Sequence, residues 1–581
     1  MEGDDVVPRT FRALADSAEK KFARVRDLPS YGGGAPIGHY FHKVFKAYTR
    51  LWKFQQENRA KLVESGLRRW EIGEIASRIG QLYYGQYLRT SEARFLIGSY
   101  IFYEAILHRN YFEGSGKDRG VRFKELRFTA RFLTVSLILN RSEMVSLLVD
   151  RFKDIVDESI STFPGTNFKE WKLVIQELVR FTNADFSSLI LRPLRYCALF
   201  DTYPLSHPYV NRFHASKVLK FQDALLTSYH KNEVKFAGLT LDTFRMMQCL
   251  EWEPSDSFYQ KEQPEFQENG LLADQSLMSG LIDVNLGMNS NLPPNPKKVV
   301  LYRPSVPHLI AVIAKLVDEL PPESLIMLYL SASGCSGQTS SSVIGRSTSS
   351  RKPVKPTSQT SQKQHTSSKG GESTSYFEKY LSLGHTRTEG PNNLYPGDLI
   401  PFTRRPLFII VDSDSSHAFK VLHGAERGER CALLLSPLRP LYKTPNSDVM
   451  RNGSQFTFFL ASPLQAFCEL VGIKPNEDDN DADTIISTAF SEWEIMLCTT
   501  SSLDLVWVQV LSDPFLRRLL LRFIFCRAVF TLYCLKENGD QYLPVCLPEL
   551  PDSFSSNSAS VQPAITRLAT HLNVADCFRL W

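Results

Sequence analysis

Apolar residues recur at helical spacing through the first half of the chain. Phe41, Phe45, Tyr48 and Trp52 are separated by four, three and four positions, which places them on one face of a single helix. Further runs of this kind predict helices over 123–140, 143–160 and 168–182. Because the alternating pattern of half-buried strands is scarce here, residues 36–257 are predicted to form a stack of antiparallel helices.

Two polar residues are predicted to begin helices of this stack. Ser91 precedes a helical pattern that contains Phe102, and Thr240 precedes another that contains Phe244. Side chains of both types can accept a hydrogen bond from the first turn of a helix. The large aromatic residues Trp52 and Phe102 are expected in the core of this region.

Small and aromatic residues in this region resemble the pattern of tetratricopeptide repeats. Gly80 and Tyr83 fit the first helix of such a repeat. Gly98, Phe102 and Ala105 fit the second helix. The interval from Gly80 to Gly98 is 18 residues, whereas the repeat needs about 12. We therefore predict a helical-hairpin array of that general kind, with a generic helical domain as the alternative.

The pattern changes after residue 296. Short apolar runs predict strands at 299–302, 325–330, 407–411 and 432–435. Helices are predicted to follow Ser305, to span 462–472 and to run from 513 to about 536. Strands and helices in alternation favour a parallel sheet, so this half is predicted to be a doubly wound α/β domain with a helical C-terminus.

A polar insertion interrupts the predicted α/β domain. The patterns divide the chain into a partly flexible N-terminal segment (1–35), the helical-hairpin domain (36–257), a linker (258–296), the α/β domain (297–333 and 392–550) with its insertion (334–391), and a tail with a short helix (551–581). Between 336 and 375 the insertion holds six basic residues and one acid, a surplus of five that equals the net charge of the whole chain. Its many Ser and Thr residues bury too little apolar surface to offset the entropy of ordering, so it is predicted to be disordered.

Composition and charge exclude several classes of protein. A hydrophobic fraction of 43% excludes a fibrous or mostly disordered chain. Balanced charge outside the insertion leaves no extended basic face for duplex DNA. The first residues are acidic where a signal peptide is basic and then apolar, and the most apolar window, 519–535, contains Arg522 and Arg527. Neither export nor a membrane span is expected, and the ten widely spaced cysteines are predicted to be buried free thiols.

One acidic motif follows a predicted strand. Asp412, Asp414 and Ser416 come directly after Val411, at the end of a strand where open parallel sheets bind ligands. The string resembles the metal site of von Willebrand A domains, although Asp414 stands where that motif has serine. We predict that the acids cap the following helix at 416–424, with a divalent-metal site as the alternative.

Three further motifs carry weaker signals. The glycines of 331–337 precede the polar insertion instead of the helix that a phosphate cradle requires. The acids of 477–483 lack the glycine and the bidentate glutamate of a calcium loop. His39 and His42 could share a helix face, but no third metal ligand is evident. The sequence therefore predicts no catalytic, cofactor-binding or metal-binding residue, and the chain is not expected to be an enzyme.

Five long blocks of the sequence carry a family resemblance. They are RRWEIGEIASRIGQLYY (68–84), YLRTSE (87–92), FRMMQCLEWEP (244–254), PGDLIPFTRRPLFIIVDS (396–413) and FLRRLLLRFIFC (515–526). These blocks resemble the SCAI family, named for suppressor of cancer cell invasion, and the similarity spans about residues 36–550. The Ser-rich insertion and the last thirty residues are not matched in detail.

The resemblance implies a non-enzymatic regulator in the nucleus, with the cytoplasm as a further location. SCAI-type proteins are transcriptional corepressors that bind a myocardin-related coactivator of serum response factor, downstream of Rho and actin signalling. The expected partners are therefore transcription coactivators or transcription factors. A scaffold for DNA-repair proteins, also in contact with single-stranded DNA, is the alternative that the resemblance leaves open. No cofactor is implied.

Clustered arginines give the repair alternative its local support. Arg517, Arg518 and Arg522 lie close together in the sequence, and Arg404 and Arg405 stand near an aromatic residue. Arginine and aromatic side chains together suit phosphate contact and base stacking. Ordinary ion pairing on a solvated face is the alternative for each cluster.

Overall fold

Helices fill the first part of the chain, and a parallel sheet organises the second part. The computed structural model describes residues 6–26, 28, 35–114, 116–186, 219–231, 233–251, 295–336, 379–385, 390–425, 430–439, 453–473, 480–533 and 539–579. The helices are α1 (Val6–Arg26), α2 (Ala35–Glu57), α3 (Arg59–Glu64), α4 (Arg69–Thr90), α5 (Ala93–His108), α6 (Arg119–Ile138), α7 (Ser142–Thr162), α8 (Phe168–Phe186), α9 (Leu241–Cys249), α10 (Val306–Asp318), α11 (Gln455–Ala461), α12 (Pro463–Val471), α13 (Asn480–Thr499), α14 (Leu505–Val510), α15 (Pro514–Leu532) and α16 (Gln562–His571). The strands are β1 (Lys220–Tyr229), β2 (Lys235–Phe236), β3 (Leu239–Thr240), β4 (Lys297–Tyr302), β5 (Ser324–Ala332), β6 (Gly334–Ser336), β7 (Lys379–Ser382), β8 (Asn393–Leu394), β9 (Leu407–Asp412), β10 (Cys431–Leu435) and β11 (Val545–Leu547). The predicted order, a helical region followed by a region with a parallel sheet, is confirmed.

Aromatic rings join helices α2, α4 and α5. Trp52 and Phe102 are buried, and their ring centroids lie 6.0 Å apart. Phe102 stacks on Tyr83 at 5.8 Å, and Tyr83 meets Phe45 edge-on at 5.0 Å. Such offset and edge-on pairs are the geometries that aromatic rings prefer. The predicted core positions of Trp52 and Phe102 are therefore confirmed.

Helices α4 and α5 approach each other at two glycines. A methyl group at Gly80 would lie 2.6 Å from the ring of Tyr103, and one at Gly98 would lie 2.8 Å from the ring of Tyr83. Across the same contact, Ser99 Oγ donates to the carbonyl oxygen of Gly80 at 2.8 Å. Each glycine thus leaves room for an aromatic ring from the opposite helix.

Residues 6–26 of the N-terminal segment form helix α1. Helix α1 packs against α2 and buries Ala18, Phe22 and Val25 at spacings of four and three. This is the apolar stripe of an amphipathic helix. Helix α1 thus belongs to the helical core, and the partial flexibility of segment 1–35 stays a prediction.

Ser91 ends helix α4 instead of beginning α5, so this predicted N-cap is wrong. Its φ of 55° is left-handed, and its amide donates to the carbonyl oxygen of Tyr87. Its Oγ accepts a hydrogen bond from the amide of Lys298 in β4 at 2.9 Å. The hydroxyl that suggested a helix start joins the helices to the sheet.

Other predicted helix ends are correct. Thr240, Ser305 and Asp513 each accept a hydrogen bond from a backbone amide in the first turn of the helix that follows. Gly472 ends α12 in the left-handed region, at a φ of 76°. These signals depend only on neighbouring residues, which explains why the sequence reveals them.

A buried ion pair connects β4 with Glu251, which follows α9, and α4 adds a hydrogen bond to it. Lys298 Nζ lies 3.2 Å from Glu251 Oε1, and each of the two side chains is 2% exposed. The hydroxyl of Tyr87, in α4, donates to the same carboxylate oxygen. The helical region and the sheet are therefore joined through polar contacts inside the protein.

Strand β1 lies inside the sheet, although the sequence pattern assigned its residues to the helical stack. The strand order is β11-β10-β9-β5-β1-β4, in which β11 alone is antiparallel to its neighbour. β4 lies on one side of β1 and β5 on the other, so the direction of strand addition reverses at β1. Residues along β1 are buried on both faces, and the alternating pattern that would have revealed the strand is absent.

Apolar layers cover both faces of the sheet. One face, which includes Met327 and Phe408, belongs to a core that continues into the N-terminal helices and α15. The opposite face, which includes Leu328 and Ile409, packs with α10 and the 3₁₀ turn Ser416–Leu422. The helical region and one face of the sheet therefore share a continuous core.

The two ends of the predicted insertion are ordered. β6 pairs with β7, and β7 pairs with β8, in a small antiparallel sheet. The Asn392 amide group donates to the carbonyl oxygen of Pro304 at 2.8 Å. The prediction of disorder over 334–391 is therefore wrong at its two ends. The strands there are too short to show an alternating hydrophobic pattern in the sequence. Residues 337–378, and most of the predicted linker (258–294), lie outside the described residues.

The C-terminal tail contains the helix α16, which packs into the core. Ile565 and Leu568 are buried, and Phe578 stacks on Phe467 with ring centroids 5.3 Å apart. The last described residues thus belong to the folded body.

Candidate functional site

Polar side chains gather at the carboxyl edge of the parallel sheet. His230 follows β1, Ser333 follows β5, Asp412 ends β9, and Ser436 follows β10. All four residues line one cavity of about 310 Å³. Neighbouring strands that run in the same direction bring these sequence-distant side chains together.

Three helices, α9, α11 and α15, contribute further walls of this cavity. Asp242, in the first turn of α9, accepts a hydrogen bond at 2.9 Å from the amide of Ser454, the residue before α11. Leu241, Phe456 and Phe530 add apolar surface. The cavity therefore combines carboxyl groups with an apolar wall.

Asp412 is buried beside a second carboxyl group. Its Oδ2 accepts a hydrogen bond at 2.5 Å from the hydroxyl of Thr457. Burial raises the pKa of Asp412, as does the nearby charge of Asp242, while hydrogen bonds from Ser454 and Thr457 act in the opposite direction. The carboxyl of Asp412 is therefore protonated more easily than one in water.

Asp412 and Asp414 do not cap the turn that follows them, contrary to the prediction. Asp414 Oδ1 accepts a hydrogen bond at 2.5 Å from the amide of Gly334, at the start of β6. The following turn, Ser416–Leu422, is a 3₁₀ helix that begins after Ser415 without a side-chain cap. Both carboxylates thus accept hydrogen bonds from residues that are distant in the sequence. The residues next to the motif give no sign of those partners.

The same motif does not assemble a metal site among the described residues. No three carboxylate, histidine or cysteine side chains in those ranges are placed to hold one ion. Ser416, the third member of the motif, donates its hydroxyl to the carbonyl oxygen of Ser436 at 2.6 Å. The geometry thus gives the metal alternative no support.

His230 contacts two serine hydroxyls. Its Nε2 lies 2.9 Å from Ser331 Oγ, and its Nδ1 lies 3.1 Å from Ser333 Oγ. Glu233 accepts a hydrogen bond from the backbone amide of His230 at 2.9 Å, not from the ring. A Ser–His–acid triad needs a carboxylate on one ring nitrogen, and the ring of His230 has serine hydroxyls at both of its nitrogens.

Comparison with known proteins identifies the family of the chain. A family model described as Protein SCAI matches residues 13–536. The chain belongs to the SCAI family. Protein SCAI of Homo sapiens is 34% identical over 594 residues, and the match covers 99% of this chain and 90% of the human protein. Protein SCAI of Mus musculus is 33% identical with the same coverage, and the Protein SCAI homolog of Dictyostelium discoideum is 29% identical over 734 residues, covering 98% of this chain and 90% of that protein. No solved structure shows a significant match.

The arginines of one SCAI block are buried, not displayed. Arg517, Arg518 and Arg522 are each 4% exposed. Arg517 Nε lies 2.6 Å from a carboxylate oxygen of Glu494, and Arg522 donates to the carbonyl oxygen of Leu460 at 3.0 Å. The repair alternative loses the local support of these three arginines, because their charged groups are used inside the protein, and the expected ion pairing on a solvated face is replaced by buried contacts.

Other residues singled out in this SCAI-family sequence lie apart from the cavity. His39 and His42 are exposed on α2, and Arg404 and Arg405 are exposed before β9. The acids of 477–479 lie outside the described residues, whereas the acids after them open α13. Within the described ranges, no helix has the length and hydropathy that crossing a membrane requires.

Sequence reasoning missed the SCAI-family residues that meet the acidic motif. His230 and Glu233 follow β1, and Asp242 opens α9, all within the range assigned to helices. The apolar run at 224–226 was the available signal, because a buried parallel strand there would have placed His230 at the ligand-binding edge.

Proposed function

We propose that this chain is a transcriptional corepressor that acts in the nucleus and binds a transcription coactivator directly. The match to the SCAI family carries the proposal, because it spans both the helical region and the sheet. The relatives named Protein SCAI align with almost the whole chain. The role that the family resemblance implies is therefore proposed for the matched chain as a whole, and not for one of its domains.

The architecture supports protein binding. We interpret the helical region as a TPR-like array and the sheet, with its reversal of strand order at β1, as a doubly wound domain. Stacked helical hairpins offer grooves that accept an amphipathic helix or an extended peptide through apolar anchors. Leu147 on α7 and Leu173 on α8 are 52% and 62% exposed, which leaves apolar contacts available along this part of the stack.

A tethering experiment tests the proposal. The chain is fused to a foreign DNA-binding domain, and expression of a reporter gene that carries the matching site is measured. We expect lower expression than with the DNA-binding domain alone, and we expect the untethered chain to reach chromatin only when its protein partner is present. A chain with Trp52→Ala and Phe102→Ala is the matched control, because it removes the aromatic contact inside the helical core.

Two results would contradict the proposal. One is unchanged reporter expression when the fusion and the control domain are present at equal levels in the nucleus. The other is tight, sequence-selective binding of the purified chain to duplex DNA at physiological salt, which would make a protein partner unnecessary for recruitment.

A further inference from the structure

The cavity at the carboxyl edge of the sheet has more acidic than basic groups in its lining. Glu233, Asp242, Asp412 and Asp414 all contribute to it. Lys231 and Arg439, the cationic side chains in its lining, are both exposed. Arg245, one turn after Asp242, stacks over the ring of Phe458 at 4.1 Å, and its guanidinium group lies beside Gly453 in the cavity wall, on the same side as the Asp242 carboxylate. The interior of the cavity is therefore biased toward a positively charged occupant.

A buried acceptor in the cavity lacks a hydrogen-bond donor. Among the described residues that line it, the buried side-chain atoms without a partner are Glu233 Oε1 and Gln455 Oε1. Turning the side-chain amide of Gln455 by 180° would place its NH₂ group where the oxygen now lies, so that position does not require an external donor. Glu233 has no such option, because both oxygens of an ionised carboxylate are acceptors. An unpaired buried acceptor costs about 1–3 kcal/mol, and a ligand that donates to it would recover that free energy.

The size and the walls of the cavity narrow the ligand class. A cavity of about 310 Å³ lies at the small end of the range for ligand pockets, about 300–1,000 Å³. Leu241, Phe456 and Phe530 can pack against an apolar stem. A phosphate or other anion would face four carboxyl groups, and the described residues do not form the donor cluster that a metal ion needs.

We propose that this cavity binds an organic cation, an ammonium or guanidinium group on a short apolar stem. Glu233 and Asp242 accept its N–H donors, and Leu241 and Phe456 contact its stem. The position agrees with the rule that open parallel sheets bind ligands where the strand order reverses, here between β1 and β5. Such a cation can be a free amine or a lysine or arginine side chain of another protein. The proposal is independent of the corepressor role.

Ligand-observed NMR titration of the full chain tests the proposal with four probes. They are n-pentylamine, n-pentanol, the peptide acetyl-Gly-Lys-Gly-amide and the same peptide with norleucine in place of lysine. We expect the amine to bind at least tenfold more tightly than the alcohol, because the two share a stem and differ in charge. Tighter binding of the lysine peptide than of the amine identifies a protein side chain as the source, and binding of the amine alone identifies a small molecule.

Variants locate the binding site. Glu233→Gln keeps the shape of the side chain and should weaken amine binding at least tenfold. Glu323→Gln, the same change on an exposed residue at the opposite edge of the sheet, should leave it unchanged. Circular dichroism shows whether Glu233→Gln folds. If it does not, Asp414→Asn is the second cavity variant, because Asp414 is exposed. It should weaken amine binding about threefold. Equal binding of alcohol and amine, or unchanged amine binding in the folded cavity variants, would overturn the proposal.

Discussion

Replacing Lys298 by methionine should destabilise the protein strongly. The substitution keeps most of the side-chain stem but removes the ammonium group that lies 3.2 Å from Glu251 Oε1. Glu251, whose side chain is 2% exposed, would keep the hydrogen bond from Tyr87 but lose the ion pair with Lys298. Removing one partner of a buried ion pair costs about 3–5 kcal/mol, because the remaining charge is left without compensation.

Urea denaturation followed by circular dichroism measures this loss. The matched control is Lys315→Met, which breaks an exposed pair at 4.0 Å whose side chains are 45% and 47% exposed. The control should cost no more than about 1 kcal/mol, as exposed pairs usually do. The double variant Lys298→Met with Glu251→Gln should recover part of the loss. If Lys298→Met costs no more than the control, the view that this pair joins the helices to the sheet is refuted.

Two further variants test other parts of the structure. Gly80→Ala should destabilise by about 1–3 kcal/mol, because its methyl group would lie 2.6 Å from the ring of Tyr103. Gly85→Ala in the same helix, with its nearest contact 3.7 Å from Phe41, should be neutral or stabilising by up to about 1 kcal/mol in the same denaturation assay. Asp412→Asn should gain stability relative to the wild type as the pH rises from about 4 toward 7. Burial raises the pKa of Asp412, so the native wild type favours the protonated acid and loses stability as this carboxyl ionises. A difference in unfolding free energy between variant and wild type that stays constant across this pH range would contradict the raised pKa.

The elements that sequence reasoning predicted correctly are those that depend on nearby residues. Trp52 lies on a helical stripe, and Thr240, Ser305 and Asp513 cap helices through amides two or three positions away. Ser91 has the same chemistry, but its hydroxyl bonds to β4, more than two hundred positions later. A capping residue and a tertiary contact look alike in sequence, so the prediction failed there.

The candidate site was predicted only in part for the same reason. Asp412 and Asp414 were found because they follow an apolar run that reads as a strand. His230 and Asp242 were not found, because β1 is buried on both faces and its residues were assigned to helices. The cavity exists only when β1 lies beside β5, and that pairing joins residues about one hundred positions apart.

The burial of three arginines bears on whether the folded part can bind a nucleic acid. A run such as Arg517, Arg518 and Arg522 would serve a nucleic acid only if its guanidinium groups were accessible, and here one pairs with Glu494 and others donate to backbone carbonyl oxygens. Burying a guanidinium is tolerated only when its donors are satisfied, so these groups cannot turn outward without breaking the contacts that hold α15. The surplus of five positive charges comes from residues 346–372, outside the described residues, and the rest of the sequence is balanced. The proposed corepressor role therefore relies on shape, apolar contact and local charge, which are the means by which proteins select protein partners.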